Sequence, residues 1–392
     1  MIPAKRDLVL LVGGNGVSAF GNSVYLIGVT LLLKEMTESA FYLGFFQFAA
    51  LTPAFLLSPI LGVLIDRWPK RRLLVVSDVV RGLLMIAAGL GLALPLFYTP
   101  LFVLVIGFLI GIGHAVFVPT VLAFLPSLVD AEGLPAATGM RAAGAQISGL
   151  LGNAVAGGLF VVVGGPILFV INGVTFLLSG ASERLISVPG GATGGGPVFS
   201  EVRRGLREVL KNSQAKLLIA SQALLFVLTP SVLLALPFIV IDELALAESS
   251  IGFFYAAALA GGIAGFFGYR TLRRLVGRRI VGLSYLAVAA GFVAMAVFRN
   301  ALSVGLVALL IGAAAATVYL AVTTWIQLEQ PPEMHGRFFA IVEAAGSFAA
   351  PVSYLATGAV LEALGSSGRW VLFLLCGVMA AAWAVVTLSR IR

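Results

Sequence analysis

Leu101–Pro126, LFVLVIGFLIGIGHAVFVPTVLAFLP, runs through 26 residues without an Asp, Glu, Lys or Arg. As a helix rising ~1.5 Å per residue it would be about 39 Å long, more than the ~30 Å hydrocarbon thickness of a bilayer. A buried core helix of a soluble domain needs no such reach. The rest of the chain follows the same pattern: of 392 residues, 60% are hydrophobic and 11% charged, with a mean hydropathy of +1.07. A soluble domain carries about 25% charged residues. The bilayer is therefore the expected solvent, and an all-α membrane protein the expected fold class.

Outward from this stretch, short polar or Gly/Pro turns divide the chain into twelve spans: 8–33, 41–65, 73–94, 101–126, 139–163, 166–188, 215–241, 249–270, 280–299, 301–328, 337–361 and 368–389. Apolar stretches that recur this far along exclude a single anchor, and the first has no small-residue cleavage site followed by a polar mature domain. The one cysteine, Cys376, excludes an internal disulfide.

The net charge of +8 and pI near 9.9 could point to nucleic acid, but the position of the charges argues for topology. One set of connections carries Lys5, Arg6, Arg67, Lys70, Arg71, Arg72, Arg203, Arg204, Arg207, Lys211, Arg273, Arg274, Arg278, Arg279, Arg337, Arg390 and Arg392; the other carries Lys34, Arg299 and Arg369. By the positive-inside rule the first set is cytoplasmic, which places both termini in the cytoplasm and requires an even number of spans. A bacterial-type inner membrane is the expected location, with anionic lipid a possible contact of the basic side and nucleic acid excluded as a partner.

Residues 189–214 turn Gly-rich, with Gly194-Gly195-Gly196, and then basic and amphipathic, as expected of a cytoplasmic linker. It separates a bundle of six helices in 1–188 from a second in 215–392. The halves echo each other: Gly62-Val-Leu-Ile-Asp66-Arg67-Trp-Pro69-Lys70-Arg71-Arg72 follows the second span, and Gly268-Tyr-Arg-Thr-Leu272-Arg273-Arg274-Leu-Val-Gly277-Arg278-Arg279 follows the eighth. A repeat at half the chain's length is the mark of a duplicated transporter.

The 62–72 segment resembles the loop signature of the major facilitator superfamily. Phe117-Val-Pro119, Leu125-Pro126-Ser-Leu-Val-Asp130-Ala-Glu132, Gly157-Gly158 and Phe169-Val-Ile-Asn172-Gly-Val-Thr-Phe176 resemble its macrolide-efflux and enterobactin-exporter branch. The resemblance implies two six-helix bundles and transport by alternating access, with Asp66 set near the start of the eleventh span, around Gly336 to Phe339. Two departures stand out: Pro69 where the signature has Gly, and Leu272 where the second copy would be acidic, so only the first copy can act as a charged latch. Independently of resemblance, Gly62 lets two helices approach closely and Asp66 is an anion suited to a helix N-terminus. Arg67, Arg71 and Arg72 have Asp78, Asp130 and Glu132 as candidate partners; the alternative is that these arginines only obey the positive-inside rule.

The fifth span matches the antiporter branch's glycine signature in part, through Gly149, Gly152, Gly157 and Gly158, with Asn153-Ala154 in place of Gly-Pro. Close helix packing alone would also explain these glycines. By resemblance the first, fourth, seventh and tenth spans line the cavity. The first holds Asn15, Ser18, Asn22 and Tyr25 on one helical face, the fourth His114, the seventh Gln222, Phe226 and Thr229, and the tenth Tyr319, Thr323 and Gln327. Together they suit an amphipathic organic molecule; the alternative for each Asn and Gln is a hydrogen bond between helices. Glu343 and His114 are the candidate proton carriers, since an intramembrane carboxylate is costly unless paired or protonated; for Glu343 a structural ion pair is the alternative.

Two histidines, one cysteine and no phosphate-binding Gly-Lys-Ser/Thr loop give no basis for an enzyme, a metal site or a cofactor. Energy must then come from a gradient. Three functions remain open: a monomeric proton-coupled exporter of amphipathic drugs or siderophores, a lipid or lysolipid flippase of the same fold, and a non-transporting receptor or scaffold.

Overall fold

The computed structural model describes residues 3–130, 132–188, 212–330 and 332–390, without the side chains of 3–4, 58–64, 66, 135, 332–337, 340, 343 and 366–368. The expected linker 189–214 falls outside the described residues except for its last three. Every regular element among the described residues is helical: α1 (Pro3–Thr37), α2 (Ala40–Arg67), α3 (Lys70–Leu92), α4 (Pro100–Phe124), α5 (Leu134–Val163), α6 (Gly165–Arg184), α7 (Ser213–Leu233), α8 (Ile251–Val276), α9 (Ile280–Phe298), α10 (Ala301–Glu329) and α11 (Pro332–Arg390). With no water in hydrocarbon to satisfy a bare peptide group, the helix is how each apolar segment closes its own hydrogen bonds.

Local signals set the ends. Thr99 caps α4 by accepting from the Phe102 N–H at 3.3 Å, with Pro100 in the first turn where its missing N–H costs nothing. Asn212 caps α7 through the N–H groups of Gln214 and Ala215, at 3.0 and 3.1 Å. Asn300 and Ser303 form a reciprocal capping box on α10.

Among the described residues, eleven helical stretches are long and apolar enough to cross a membrane, where twelve were expected. Glu248–Phe298, with 51 residues, counts as one because a 3-10 turn at Gly277–Arg279 joins α8 to α9 without a loop. The last two expected spans run together as α11, 59 residues broken at Gly365, whose φ of +62° leaves the helical region. The seventh expected span also differs: α7 ends at Leu233, and a π-helical segment at Phe238–Glu243 follows.

The chain divides into two compact units. One holds α1, α2 from Ala49 onward, α3 to α6, and Glu248–Gly252; the other holds Ser39–Phe48 and the remainder from α7 to α11. In the first, α1 packs on α5 and α6, and α3 packs on α6 and α4. The α3–α6 crossing is set by a reciprocal glycine pair: a Cβ on Gly82 would stand 2.9 Å from the Gly173 carbonyl oxygen, and one on Gly173 2.7 Å from that of Gly82. In the second, α7 and α9 both pack on α11 and α10. Large apolar side chains such as Leu302, 82% exposed, and Val162, 80% exposed, point outward. In water this would be a liability, but against lipid it costs nothing.

Candidate functional site

The expected latch spans the end of α2 and the first turn of α3: Gly62, Asp66 and Arg67 lie in α2, and Arg71 and Arg72 in α3. Gly62 lies among the residues whose side-chain environment is outside the description, and so do Asp66 and Glu343. Arg67 and Arg72 are exposed, and the Arg72 guanidinium stands 5.8 Å from the Trp68 ring centre. Arg71 donates to the Ile186 carbonyl at 2.6 Å, tying the start of α3 to the segment after α6. Of the three acids expected to meet these arginines, Asp78 is engaged by Arg81. Asp130 accepts the Gly133 N–H at 2.7 Å and turns the chain into α5, and Glu132 is exposed. The reason is register: Asp78 lies eight residues into α3, about 12 Å along its axis from Lys70. That depth belongs to the bundle, not to the loop.

Two members of the α1 polar stripe, Asn22 and Tyr25, face α6. Ser18 is buried and donates to the Asn15 carbonyl at 3.1 Å, while Asn15 is half-buried. Asn22 accepts from the Asn172 side chain at 3.3 Å, and Tyr25 is buried edge-on against Phe169 with ring centres 4.9 Å apart. On α7, Gln222 is buried with its side-chain oxygen unpartnered. Phe226 is half-buried, its ring filling the space a Cβ on Gly346 would take, and Thr229 is half-buried. On α10, Tyr319 and Gln327 are exposed and Thr323 half-buried; His114 on α4 is exposed. Of the glycines in α5, Gly152 allows close approach to α1, since a Cβ there would stand 2.6 Å from the Phe20 carbonyl oxygen.

The strongest chemistry lies elsewhere, at three side chains that the sequence reading did not select as a site. Asp78 and Arg81 of α3 form an ion pair, and Arg81, 1% exposed, lies over the rings of Phe117 and Phe176 with its guanidinium carbon 4.3 Å from each centre. One cation is thus held against two aromatic rings, a favourable and position-fixing contact. Gly113 makes room: a Cβ there would stand 2.6 Å from Arg81 Cγ. Beside it, Ser77 donates to the Gly113 carbonyl at 3.0 Å. Glu183 of α6 is fully buried, within electrostatic reach of both Asp78 and Arg81, and neither of its carboxylate oxygens has a hydrogen-bond partner. Asp7 of α1 is also fully buried; one oxygen accepts from the Ser187 N–H at 2.9 Å and the other has no partner. The signal in the sequence was the Asp78-x-x-Arg81 pair, one turn apart inside an apolar helix.

A family model described as the Major Facilitator Superfamily matches residues 11–341. Macrolide efflux protein A of Streptococcus pyogenes is 26% identical over 188 residues, 47% of this chain and 45% of that protein, so the chain matches about half the length of this curated relative. An uncharacterized MFS-type transporter, y4rN of Sinorhizobium fredii (strain NBRC 101917 / NGR234), is 24% identical over 386 residues, 95% of this chain and 92% of the relative. Among solved structures, the nucleoside transporter NupG superposes with a TM-score of 0.76 at 11% identity, covering 99% of both chains. A bacterial homologue of the iron transporter ferroportin, in an inward-facing state, superposes at 0.74 with 18% identity over 98% of this chain and 99% of that one. At these identities the likeness is one of fold.

Proposed function

The chain belongs to the Major Facilitator Superfamily, and from that premise we propose that it exports amphipathic small molecules by alternating access, driven by protons entering in exchange. The observation that carries the export reading is the similarity to Macrolide efflux protein A. The family and the transporter folds it superposes on point to a transporter rather than an enzyme. Counting Glu248–Phe298 as two spans gives the twelve that two six-helix bundles require. On the charge distribution, both termini lie in the cytoplasm of a bacterial-type inner membrane.

In this reading Gln222, Phe226, Tyr319, Thr323, Gln327 and His114 offer substrate a mixed polar and aromatic lining, and the α1 stripe contributes through Asn15. The buried oxygen of Gln222 lacks a partner, as suits a group that receives a donor only when substrate binds. Asp66 and Gly62 with Arg67, Arg71 and Arg72 form the cytoplasmic latch. Asp66→Asn keeps the shape of the side chain and removes its charge; the folded variant should transport poorly, with its inward-open population raised. Unchanged transport and populations would reduce the motif to topology.

The deciding experiment reconstitutes the purified protein in liposomes, imposes a pH gradient and follows radiolabelled erythromycin beside a panel of lipophilic cations and siderophores. Accumulation of at least one compound against its own gradient, collapsed by a protonophore, is the expected result. Movement that ignores the pH gradient for every compound overturns proton-coupled export.

A further inference from the structure

The buried charges of the first unit do not balance. Among the described residues of that unit, Asp7, Asp78 and Glu183 are fully buried acids, while Lys70 and Arg81 are the buried cations, at 2% and 1% exposure. Even with every possible pair formed, one carboxylate keeps an uncompensated charge. The excess falls at Glu183: Arg81 is committed to Asp78 and held against the rings of Phe117 and Phe176, while both Glu183 oxygens lack a hydrogen-bond partner. An isolated buried carboxylate costs several kcal/mol even after local relaxation, and binding a proton removes that cost.

Among the described residues, the elements around Glu183 supply no other buried counter-charge. α3 brings Asp78 and Arg81, with buried Lys70 at its start engaged in interactions of its own and half-buried Arg71 donating to the Ile186 carbonyl at 2.6 Å. α4 brings His114, exposed and within electrostatic reach of Arg81; α1 brings Asp7, held by the Ser187 N–H; α5 carries the half-buried Arg141, and α6 itself ends in exposed Arg184. A metal ion is a poor occupant, because the Arg81 guanidinium repels it and two carboxylates provide few ligands. A proton becomes part of a neutral carboxyl group and meets no such repulsion.

We propose that Asp78, Arg81 and Glu183 form a proton-binding site inside the first unit, in which Glu183 takes up and releases the proton while Arg81 is the fixed counter-charge. On uptake, one O–H bond forms at a Glu183 carboxylate oxygen as one breaks in hydronium, leaving water; release is the reverse. The proton binding stands on the geometry alone, whereas its use in transport rests on the proton-coupled reading above.

The test uses full-length protein in lipid nanodiscs and infrared difference titration, which reads protonated carboxyl groups without any substrate. Wild type should show a protonated-carboxyl stretch at neutral pH. Glu183→Gln should remove it, and Asp78→Asn, which leaves Glu183 alone with Arg81, should weaken it. The second variant keeps the test decisive if the first fails to fold. A stretch that survives Glu183→Gln, or that Asp78→Asn leaves untouched, overturns the site. In liposomes, Glu183→Gln should bring the ratio of erythromycin uptake with and without a pH gradient down to unity, and a preserved ratio overturns the coupling role. If wild type itself ignores the gradient, proton-coupled export fails, and the infrared result still decides whether the site binds a proton.

Discussion

The two units solve the same problem, a polar interior inside lipid, in opposite ways. The first buries ionisable side chains: Asp7, Lys70, Asp78, Arg81 and Glu183. Among the described residues of the second, the buried polar groups are neutral: Ser221, Gln222, Ser231, Ser303, Thr317, Ser353, Thr357 and Thr387. Most of these hydroxyls bond locally or across one helix pair. Ser221 donates to the Leu217 carbonyl at 2.8 Å and accepts from the Trp383 indole N–H at 2.9 Å, and its own carbonyl accepts from the Tyr285 hydroxyl. Ser353 reaches from α11 to the Val227 carbonyl on α7 at 3.0 Å. A neutral lattice of this kind packs the same way at every pH, whereas a charged one with an odd number of members changes its state when a proton arrives. With the proposed proton site, the contrast separates a unit whose buried side chains can change charge from one whose described buried polar groups cannot.

The largest effect should come from Arg81→Leu. It leaves two carboxylates buried with no cation between them, a change that costs about 3–5 kcal/mol when one partner of a buried pair is removed. Purified variant should be recovered in much lower yield and melt well below wild type. A sharper version replaces all three members with apolar residues, Asp78→Leu, Arg81→Leu and Glu183→Leu together. Stability should return toward the wild-type value, because no unpaired charge remains, while the response to a pH gradient stays absent. If the triple variant melts like Arg81→Leu alone, packing and not charge dominates the site.

Next in size is the second unit's backbone crossing. A Cβ on Gly312 would overlap the Ala258 carbonyl oxygen, and one on Gly261 that of Leu309, so Gly312→Val should force α8 and α10 apart at a cost of about 1–3 kcal/mol. Its loss of melting temperature should be the same at acid and neutral pH. Trp383→Phe removes a single neutral hydrogen bond and should cost about 1 kcal/mol, again without pH dependence. A pH-dependent loss in either variant would break the contrast between the units. The smallest effect is expected at Arg299, whose guanidinium lies 5.3 Å from the Trp370 ring centre in a partly exposed place. Arg299→Gln should change the melting temperature little, since an exposed cation–π contact contributes about 0.5–1 kcal/mol.

Much of the fold was legible because apolar length and turn residues are local properties of a sequence. The long apolar segments lie within a few residues of where the helices form, and Thr99, Asn300 and Gly164 mark ends that their chemistry predicts. The joins were less legible. No loop residues announce Gly277–Arg279 or the break at Gly365, since each is a change of backbone angle inside continuous apolar sequence. The site was harder still. Asp78 read as a partner for the loop arginines because their distance along the chain is short, but helix geometry carries it about two turns into the bundle, where Arg81 is nearer. Glu183 belongs to the group only through the α3–α6 crossing at Gly82 and Gly173, and its unpaired state depends on what three other helices fail to bring. Such an absence cannot be read from one segment at a time.

The break in α11 has a consequence for how the chain is made. Ala344–Gly365 and Arg369–Arg390 each have the length and apolarity to cross the bilayer, and only 366–368 lie between them. Three residues leave little slack between the two segments, so the position of one in the bilayer constrains that of the other. Arg369 stands four residues past the break at Gly365, with Asp242 and Glu243 each 3.5 Å from its guanidinium. The acids that receive it sit just beyond α7, so the partners of Arg369 are already synthesised when its own segment is made.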